Sequence, residues 1–321
     1  MKAIVYHEYG SPDALRLEDV PMPTFGDDGV LVRVRAASVN PLDWHLLRGQ
    51  PYIVRTSAGM RTPKRNIPGV DVAGVVEAVG PRVTGVRVGD EVWGEKGRAC
   101  AEYVAGPEGL FIAKPANITL EEAAAIPAAG ITALQSLRDK GNLEPGQKVL
   151  INGASGGVGT FAVQVAKADD AEVTGVTSTP NVELVRSLGA DHVVDYTAED
   201  FTRSGMRYDL ILDNAANRSL RSMRRVLAPD GALVLVGASK GKWVAPIARM
   251  VAAGMLSRFG TQRLMGHLTD TRRADLETMN ELVKSGKVKP VIDRCYPLAE
   301  VPEAIRYLET MRARAKVIIQ I

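Results

Sequence analysis

VLINGASGGVGTFAVQVAK, residues Val149–Lys167, decides the fold of this chain. An apolar strand runs to Asn152. Ala154, Gly156 and Gly159 follow at the G-x-G-x-x-G spacing, with Ala in the first position, and helix-forming residues begin at once. Each small residue has a physical reason to be small. The first turns the chain, Gly156 lets backbone approach a pyrophosphate, and Gly159 lets the helix pack on the strand. Ser155, Gly156, Gly157 and Val158 open that helix, whose free N–H groups and positive dipole end favour phosphate. The spacing alone would also suit a merely tight turn. Its place inside strand–turn–helix, with a second strand at Val173–Val176, makes it a dinucleotide site.

The end of that second strand bears on which dinucleotide. In NAD sites an acidic residue about 20 positions further on accepts the ribose hydroxyls. Here the strand ends at Thr177–Ser178, with no Asp or Glu. A carboxylate there would repel a 2′-phosphate, whereas small hydroxyls can donate to it. Ser178 therefore points to NADP, although no Arg or Lys follows in Ser178-Thr179-Pro180-Asn181.

The alternation continues outward. Strands are predicted at Lys148–Asn152, Val193–Val194, Leu210–Leu212 and Ala232–Val236, and helices at Val158–Lys167, Val182–Leu188 and Leu220–Leu227. Strands alternating with helices give a doubly wound parallel sheet covered on both faces. The first hundred residues differ: Lys2–Tyr6, Val30–Ala36, Val72–Val79 and Glu91–Trp93 are short β-branched runs punctuated by Gly and Pro, which predicts a barrel-like β module. Thr119 with Glu122 forms a capping box for a helix. Pro127 is expected to break it, with a second helix from Ile131 to Arg138. The tail reads as a helix at Ala274–Lys284, a strand at Pro290–Ile292, a helix at Pro302–Thr310 and an apolar strand at Val317–Ile321, which can close the first sheet. The expected division is 1–118 plus 288–321 against 119–287. The chain between Lys240 and Leu268 is the hardest to read.

Composition narrows the function. At 321 residues two domains are expected. A balance of 40 basic and 37 acidic residues, net +3, argues against a nucleic-acid partner despite a pI near 8.8. Two cysteines, Cys100 and Cys295, exclude a disulfide scaffold and a four-thiolate zinc site. No apolar run reaches the ~20 residues needed to span a bilayer. The N-terminal residues alternate like a strand and carry acidic side chains, unlike a signal peptide, so a cytoplasmic location is expected.

The chain resembles the quinone oxidoreductase (zeta-crystallin-like) branch of the medium-chain dehydrogenase/reductase superfamily. GQKVLINGASGGVGTFAVQVAK carries the resemblance, and ASVNPLDWHLLRG, PGVDVAGVVEAVG, GDEVWG, AEYVAGPEGLFIAKP, AAAIPAAGITALQSL, LGADHVVDY, GKVKPVIDRCYPL and AKVII follow the family's order. The resemblance implies a GroES-like β-barrel-type catalytic domain joined to a Rossmann domain, with the active site in the cleft between them. It also implies a homodimer, a small electrophilic substrate, and NADPH-dependent hydride transfer to a quinone or an α,β-unsaturated carbonyl. A metal-free NADP-dependent alcohol dehydrogenase or carbonyl reductase, and a non-catalytic NADPH- or RNA-binding zeta-crystallin-like protein, are the competing readings.

Zinc relatives need Cys, His and Cys for the catalytic metal, and these positions hold Asn40, Val70 and Ala128. No zinc is therefore expected. By the same resemblance Asn40 stands near the nicotinamide, Asp43 matches a family aspartate, and Tyr52 faces the substrate. His45 lies where some relatives carry tyrosine. Thr132 stands beside the nicotinamide and Tyr196 beside the adenosine 2′-phosphate, while Ala215 and Gly237 lie just past two sheet strands. Asn40, Asp43, Tyr52, His45 and Thr132 each have a plainer alternative: a turn residue before Pro41, a loop anchor, a tyrosine at the cleft edge, a structural histidine, a helix start. Lys316 matches the basic residue of the family's closing GK motif, but Ala315 replaces the glycine, which puts a cofactor role in doubt. Trp44 reads as core. The cluster Arg55, Arg61, Lys64 and Arg65 reads as a solvated loop, and Arg218, Arg221 and Arg225 as one hydrated helical face.

Overall fold

The β-branched runs near the N-terminus form strands around one long spine. In the computed structural model, which describes residues 1–64, 66–237 and 245–321, the chain divides into two units. One comprises Met1–Ala128, Thr271–Lys284 and Pro290–Ile321, the other Ala129–Asp270 and Ser285–Lys289. Arg65 and the segment 238–244, with Lys240, lie outside the described residues.

In the first unit β1 (Lys2–Val5) pairs antiparallel with β2 (Arg16–Asp19). The spine is β3 (Gly29–Val39), followed by α1 (Pro41–Arg48) and α2 (Arg55–Ala58). Then come β4 (Asp71–Val79), β5 (Glu91–Glu95), β6 (Tyr103–Pro107), β7 (Phe111–Ala113) and α3 (Leu120–Ala124). Thr119 caps α3 as its sequence predicts: its hydroxyl accepts from Glu122 N at 3.2 Å, and its own N–H donates to Glu122 Oε2 at 2.8 Å. The helix packs on β3, β4 and β5.

The second helix departs from its prediction. Pro127 is the first residue of α4 (Pro127–Gln135), not a break before Ile131. A first-turn residue has no helical hydrogen bond to lose, so Pro starts a helix without penalty. The chain then winds into a π-helical turn at Ser136–Gly141.

The nucleotide-binding texture folds as read. The elements are β8 (Lys148–Asn152), α5 (Gly157–Ala168), β9 (Glu172–Thr177), α6 (Val182–Ser187), β10 (His192–Asp195), β11 (Tyr208–Asp213), α7 (Leu220–Arg225), β12 (Leu227–Leu235), α8 (Ala245–Leu256) and β13 (Arg263–Gly266). The sheet order is β10-β9-β8-β11-β12-β13 and every pairing is parallel. This is the Rossmann order, and the direction of progression reverses between β8 and β11. Val149, Leu150 and Ile151 are fully buried there, as a strand covered on both faces requires. Helix α7 stops at Arg225 because Leu227 already enters β12, so Arg218 precedes the helix instead of sharing its face.

The tail, α9 (Arg273–Lys284), β14 (Ile292–Pro297), α10 (Val301–Glu309) and β15 (Lys316–Gln320), belongs to the first unit. Val301, Ala304 and Ile305 give α10 a buried stripe at helical spacing. The expected strand at Pro290–Ile292 lies further on, because parallel pairing with β15 starts at Ile292 and continues through DRCYP, whose polar residues hide it. Strand β15 pairs antiparallel with β3, setting Val317 opposite Val39, and completes the order β14-β15-β3-β4-β5-β7, with β6 also on β3. No described helix is long and apolar enough to cross a membrane.

Candidate active site

Strand register assembles a buried polar cluster in the first unit. Ser38 lies directly opposite Asp71 across β3 and β4, and Val39 opposite Val317 places Asn40 beside Lys316. Alternation along β3 then turns Ser38 and Asn40 to one face. Lys316 Nζ donates to Asn40 Oδ1 at 2.6 Å and to Asp71 Oδ2 at 2.9 Å. Asn40 Nδ2 donates to Asp71 Oδ2 at 3.0 Å, the Ser38 hydroxyl donates to the same oxygen, and Ala128 N donates to Oδ1 at 2.8 Å. Lys316 is 3% exposed and Asp71 fully buried, so each charge depends on the other.

This chemistry fixes the Asn40 amide. An ammonium only donates and a carboxylate only accepts, so Oδ1 must face Lys316 and Nδ2 must face Asp71. Reversing the amide would lose two charge-assisted hydrogen bonds, each worth about 1.5–3 kcal/mol.

Asp43 holds the adjoining turn. Asn40 is the residue before α1, and Asp43 Oδ2 accepts from its N–H at 2.7 Å while Oδ1 accepts from Gly69 N at 2.7 Å. Burial pushes the Asp43 carboxyl up to about 6 despite these two donors. Both of its oxygens thus serve backbone. The neighbouring Cys100 thiol is buried and pushed well above its ordinary range by desolvation, then by the Asp43 charge.

Tyr52 and Arg55 occupy the turn after α1. The Arg55 guanidinium lies 5.0 Å from the Tyr52 ring centroid and 4.4 Å from that of Tyr9, and Arg55 Nε donates to Gly49 O at 3.1 Å. Arg55 is therefore a bracket between two rings and not a solvated loop residue, whereas Arg61 and Lys64 are exposed as expected. His45 stacks on Trp44 at 3.6 Å, and its Nδ1 is 2.9 Å from Gln50 O. Burial lowers its pKa, which keeps the imidazole neutral near pH 7. Trp44 packs on the core of this unit as predicted.

The three residues that the resemblance sets at zinc-ligand positions are an amide, Asn40, an apolar side chain, Val70, and a methyl, Ala128. Among the described residues, no group of three or more His, Cys, Asp and Glu side chains is placed to hold a metal ion.

The residues read as cofactor-binding gather along the carboxyl ends of one sheet. Gly156 is the N-cap of α5, with φ −81° and ψ 175°. A Cβ on Gly159 would stand 2.1 Å from Gly153 O, and one on Gly237 2.1 Å from Asn214 O. Ser155 Oγ accepts from Thr177 Oγ1 at 2.8 Å and from Asn181 Nδ2 at 3.2 Å, and Asn181 Nδ2 also reaches Ser178 Oγ at 3.2 Å. Tyr196 is 44% exposed at the end of β10, and the Thr132 hydroxyl lies 2.6 Å from that of Thr269. Ala215 follows β11, 3.5 Å from where a Cβ on Gly153 would stand. Space for backbone approach, first-turn amides without helical acceptors and exposed ends of parallel strands all fit a dinucleotide.

The groups beneath this edge carry no local sequence signal. Asn152 Nδ2 donates to Asp213 Oδ1 at 2.7 Å, and Arg249 Nη2 donates to Asp213 Oδ2 at 2.6 Å. Both polar side-chain atoms of Asn214, and Arg249 Nη1, are buried without a partner among the described residues. Asp195 also borders the Ser178 loop: it accepts from Thr179 Oγ1 at 2.6 Å and from Thr197, which holds its carboxyl below the usual range. Asp71 does carry a sequence signal, as the one carboxylate in the apolar run Val70–Val76.

Comparisons with known proteins match the fold. The family model described as alcohol dehydrogenase GroES-like domain matches residues 26–136, and that described as zinc-binding dehydrogenase matches residues 188–319. A quinone-oxidoreductase homolog of Spinacia oleracea, named as chloroplastic, is 33% identical, the alignment covering 100% of this chain and 98% of the relative. An NADPH-dependent alkenal/one oxidoreductase of Arabidopsis thaliana, also named as chloroplastic, is 34% identical over 99% of this chain and 79% of its own length. The solved structure of the quinone oxidoreductase from Coxiella burnetii superposes with a TM-score of 0.87 at 29% identity, covering 100% of this chain and 99% of that one.

The chain belongs to the medium-chain dehydrogenase/reductase superfamily, with a GroES-like domain and a Rossmann domain. Within it the chain is a quinone oxidoreductase-like protein, an oxidoreductase that uses a nicotinamide cofactor on a small-molecule substrate.

Proposed function

We propose that this protein is a zinc-independent, NADPH-dependent reductase of quinones or α,β-unsaturated carbonyls. The observation that carries this reading is the buried Lys316–Asn40–Asp71 cluster, whose Asn40 stands where the resemblance puts a zinc-ligating cysteine. An ammonium in contact with Asn40 disfavours a dication there, and the cluster offers an amide donor in its stead. Without a Lewis acid, a conjugated acceptor is the easier substrate, because the charge left by hydride addition is delocalised onto a distant oxygen. The protein then has to hold a donor at that oxygen. Asn40 fills that role, Asp43 holds the Asn40 backbone, and Tyr52 covers the substrate and competes with solvent as proton source.

A bound nicotinamide supplies the hydride. Ser155, Gly156, Gly157 and Val158 bind the pyrophosphate, Ser178 and Tyr196 the adenosine phosphate, Ala215 and Gly237 border the sheet edge, and Thr132 holds the nicotinamide end. Preference for NADPH rests on the absence of an acid at Thr177–Ser178 and on a relative named as NADPH-dependent. Residues 1–118 with 288–321 take the catalytic role and 119–287 the nucleotide-binding role, although α3 and α9 pack with the first unit. A homodimer formed along the edge of β13 is supported by the exposed apolar side chains of Val251, Met255, Phe259 and Leu268 near that edge. A cytoplasmic location is part of this reading, which fractionation checks.

The test is consumption of NADPH, with NADH in parallel, against a panel of quinones, enones and alkenals. Turnover with NADPH is expected. Cofactor binding without turnover against the whole panel would overturn the proposal.

A further inference from the structure

We infer that Lys316 is a positioning residue for the reduction, acting through Asn40 and not on the cofactor. This rests on the reading of Asn40 as the donor to the substrate oxygen. The family's closing lysine invites a cofactor role, but the ammonium of Lys316 is 3% exposed and directed at Asn40 Oδ1 and Asp71 Oδ2. Its neighbours in the cluster, Ser38, Asp71 and Asn40, are all buried.

The consequence for Asn40 is geometric and electronic. The side-chain nitrogen carries two hydrogens, of which Asp71 takes one, and no further acceptor for it stands among the described residues. Asn40 is 9% exposed, and Lys316 and Asp71 hold the two ends of its amide, so the amide is not free to turn. Lys316 withdraws electron density from the amide oxygen, which strengthens the remaining N–H as a donor. A cation that serves a metal-like purpose through one intervening amide is thus built from Ser38, Asn40, Asp71 and Lys316. Asp71 balances its charge and anchors the opposite end of the same amide. Lys316 itself moves no proton and forms no bond.

A double-mutant cycle on the full chain tests this. Asn40→Ala is expected to lower kcat by about a hundredfold or more, the scale of losing one oxyanion donor. Lys316→Met is expected to lower kcat about tenfold or more, the scale of a misplaced catalytic group, with KM for NADPH unchanged. If Lys316 acts through Asn40, the double variant will be no slower than Asn40→Ala alone. Because Lys316→Met leaves Asp71 buried without a counter-charge, the neutral pair Lys316→Met with Asp71→Asn is measured beside it. That pair is expected to fold and to be as slow as Lys316→Met. Losses that multiply in the cycle, a wild-type kcat in either Lys316 variant, or a raised KM for NADPH with kcat intact would overturn the inference while leaving the proposed function standing. A wild-type protein inactive against the entire panel would overturn both.

Discussion

The two glycines of the phosphate turn serve different ends, and single methyl groups separate them. In Gly159→Ala the new Cβ meets Gly153 O at 2.1 Å and Ala154 C at 2.7 Å, both backbone. The turn cannot yield easily, since Gly153 N and Ala154 N both donate to Val176 O, at 3.1 and 3.0 Å. Restoring a normal contact needs a withdrawal of roughly 1 Å or more by α5. Overpacking of this kind costs about 1–3 kcal/mol, and a backbone clash belongs at the top of that range. Removing a helical glycine returns about 0.5–1 kcal/mol, so the net cost is about 2 kcal/mol. For a unit of this size the melting midpoint should fall by roughly 4–8 °C. In Gly156→Ala the Cβ stands 3.5 Å from Gly153 O, an ordinary contact. Its stability should stay near wild type, while its methyl intrudes on the phosphates and weakens NADPH binding about tenfold or more. Thermal unfolding and a fluorescence titration of NADPH read both effects. The reasoning fails if Gly159→Ala melts with the wild type, or if Gly156→Ala melts early with its cofactor affinity intact.

Other perturbations address the remaining groups. Asp43 is raised to about 6 from 3.8, so the folded protein binds this proton more tightly than the unfolded chain. Its stabilising contribution, of the order of 3 kcal/mol, is fully present below about pH 4 and lost as pH rises through about 6. Denaturant unfolding of wild type against Asp43→Asn between those limits should show it. Arg249→Met leaves Asp213 buried without its partner and should cost about 3–5 kcal/mol in the same assay. Arg55→Ala removes the bracket between Tyr9 and Tyr52 and should raise KM for the electrophile more than KM for NADPH in steady-state kinetics.

Local signals are legible in the sequence, and long-range ones are not. The turn at Ala154–Gly159 and the Thr119–Glu122 capping box each lie within a few residues, and both take the predicted form. Pro127 misleads because proline breaks a helix interior and starts a helix equally well. The strand β13, RLMG, is too short to show a period. The candidate site divides in the same way. Ser38, Asn40 and Asp43 stand in one motif, whereas Asp71 and Lys316 join them only through the register of β3 with β4 and β15. Nothing local in Ala315-Lys316 shows that its ammonium will be buried against residues 245 and 276 positions away. Arg55 reads as solvated because its partners are two rings and two carbonyls, which no charge pattern records.

The central claim is that a conjugated acceptor is reduced here without zinc. The most direct measurement is the rate of NADPH oxidation by chelator-treated, metal-free protein with an enone, a quinone and a saturated ketone. Full turnover with the conjugated acceptors, unchanged by added zinc and far above that with the ketone, is the predicted result. Activity that appears only when zinc is restored, or that favours the saturated ketone, would contradict it.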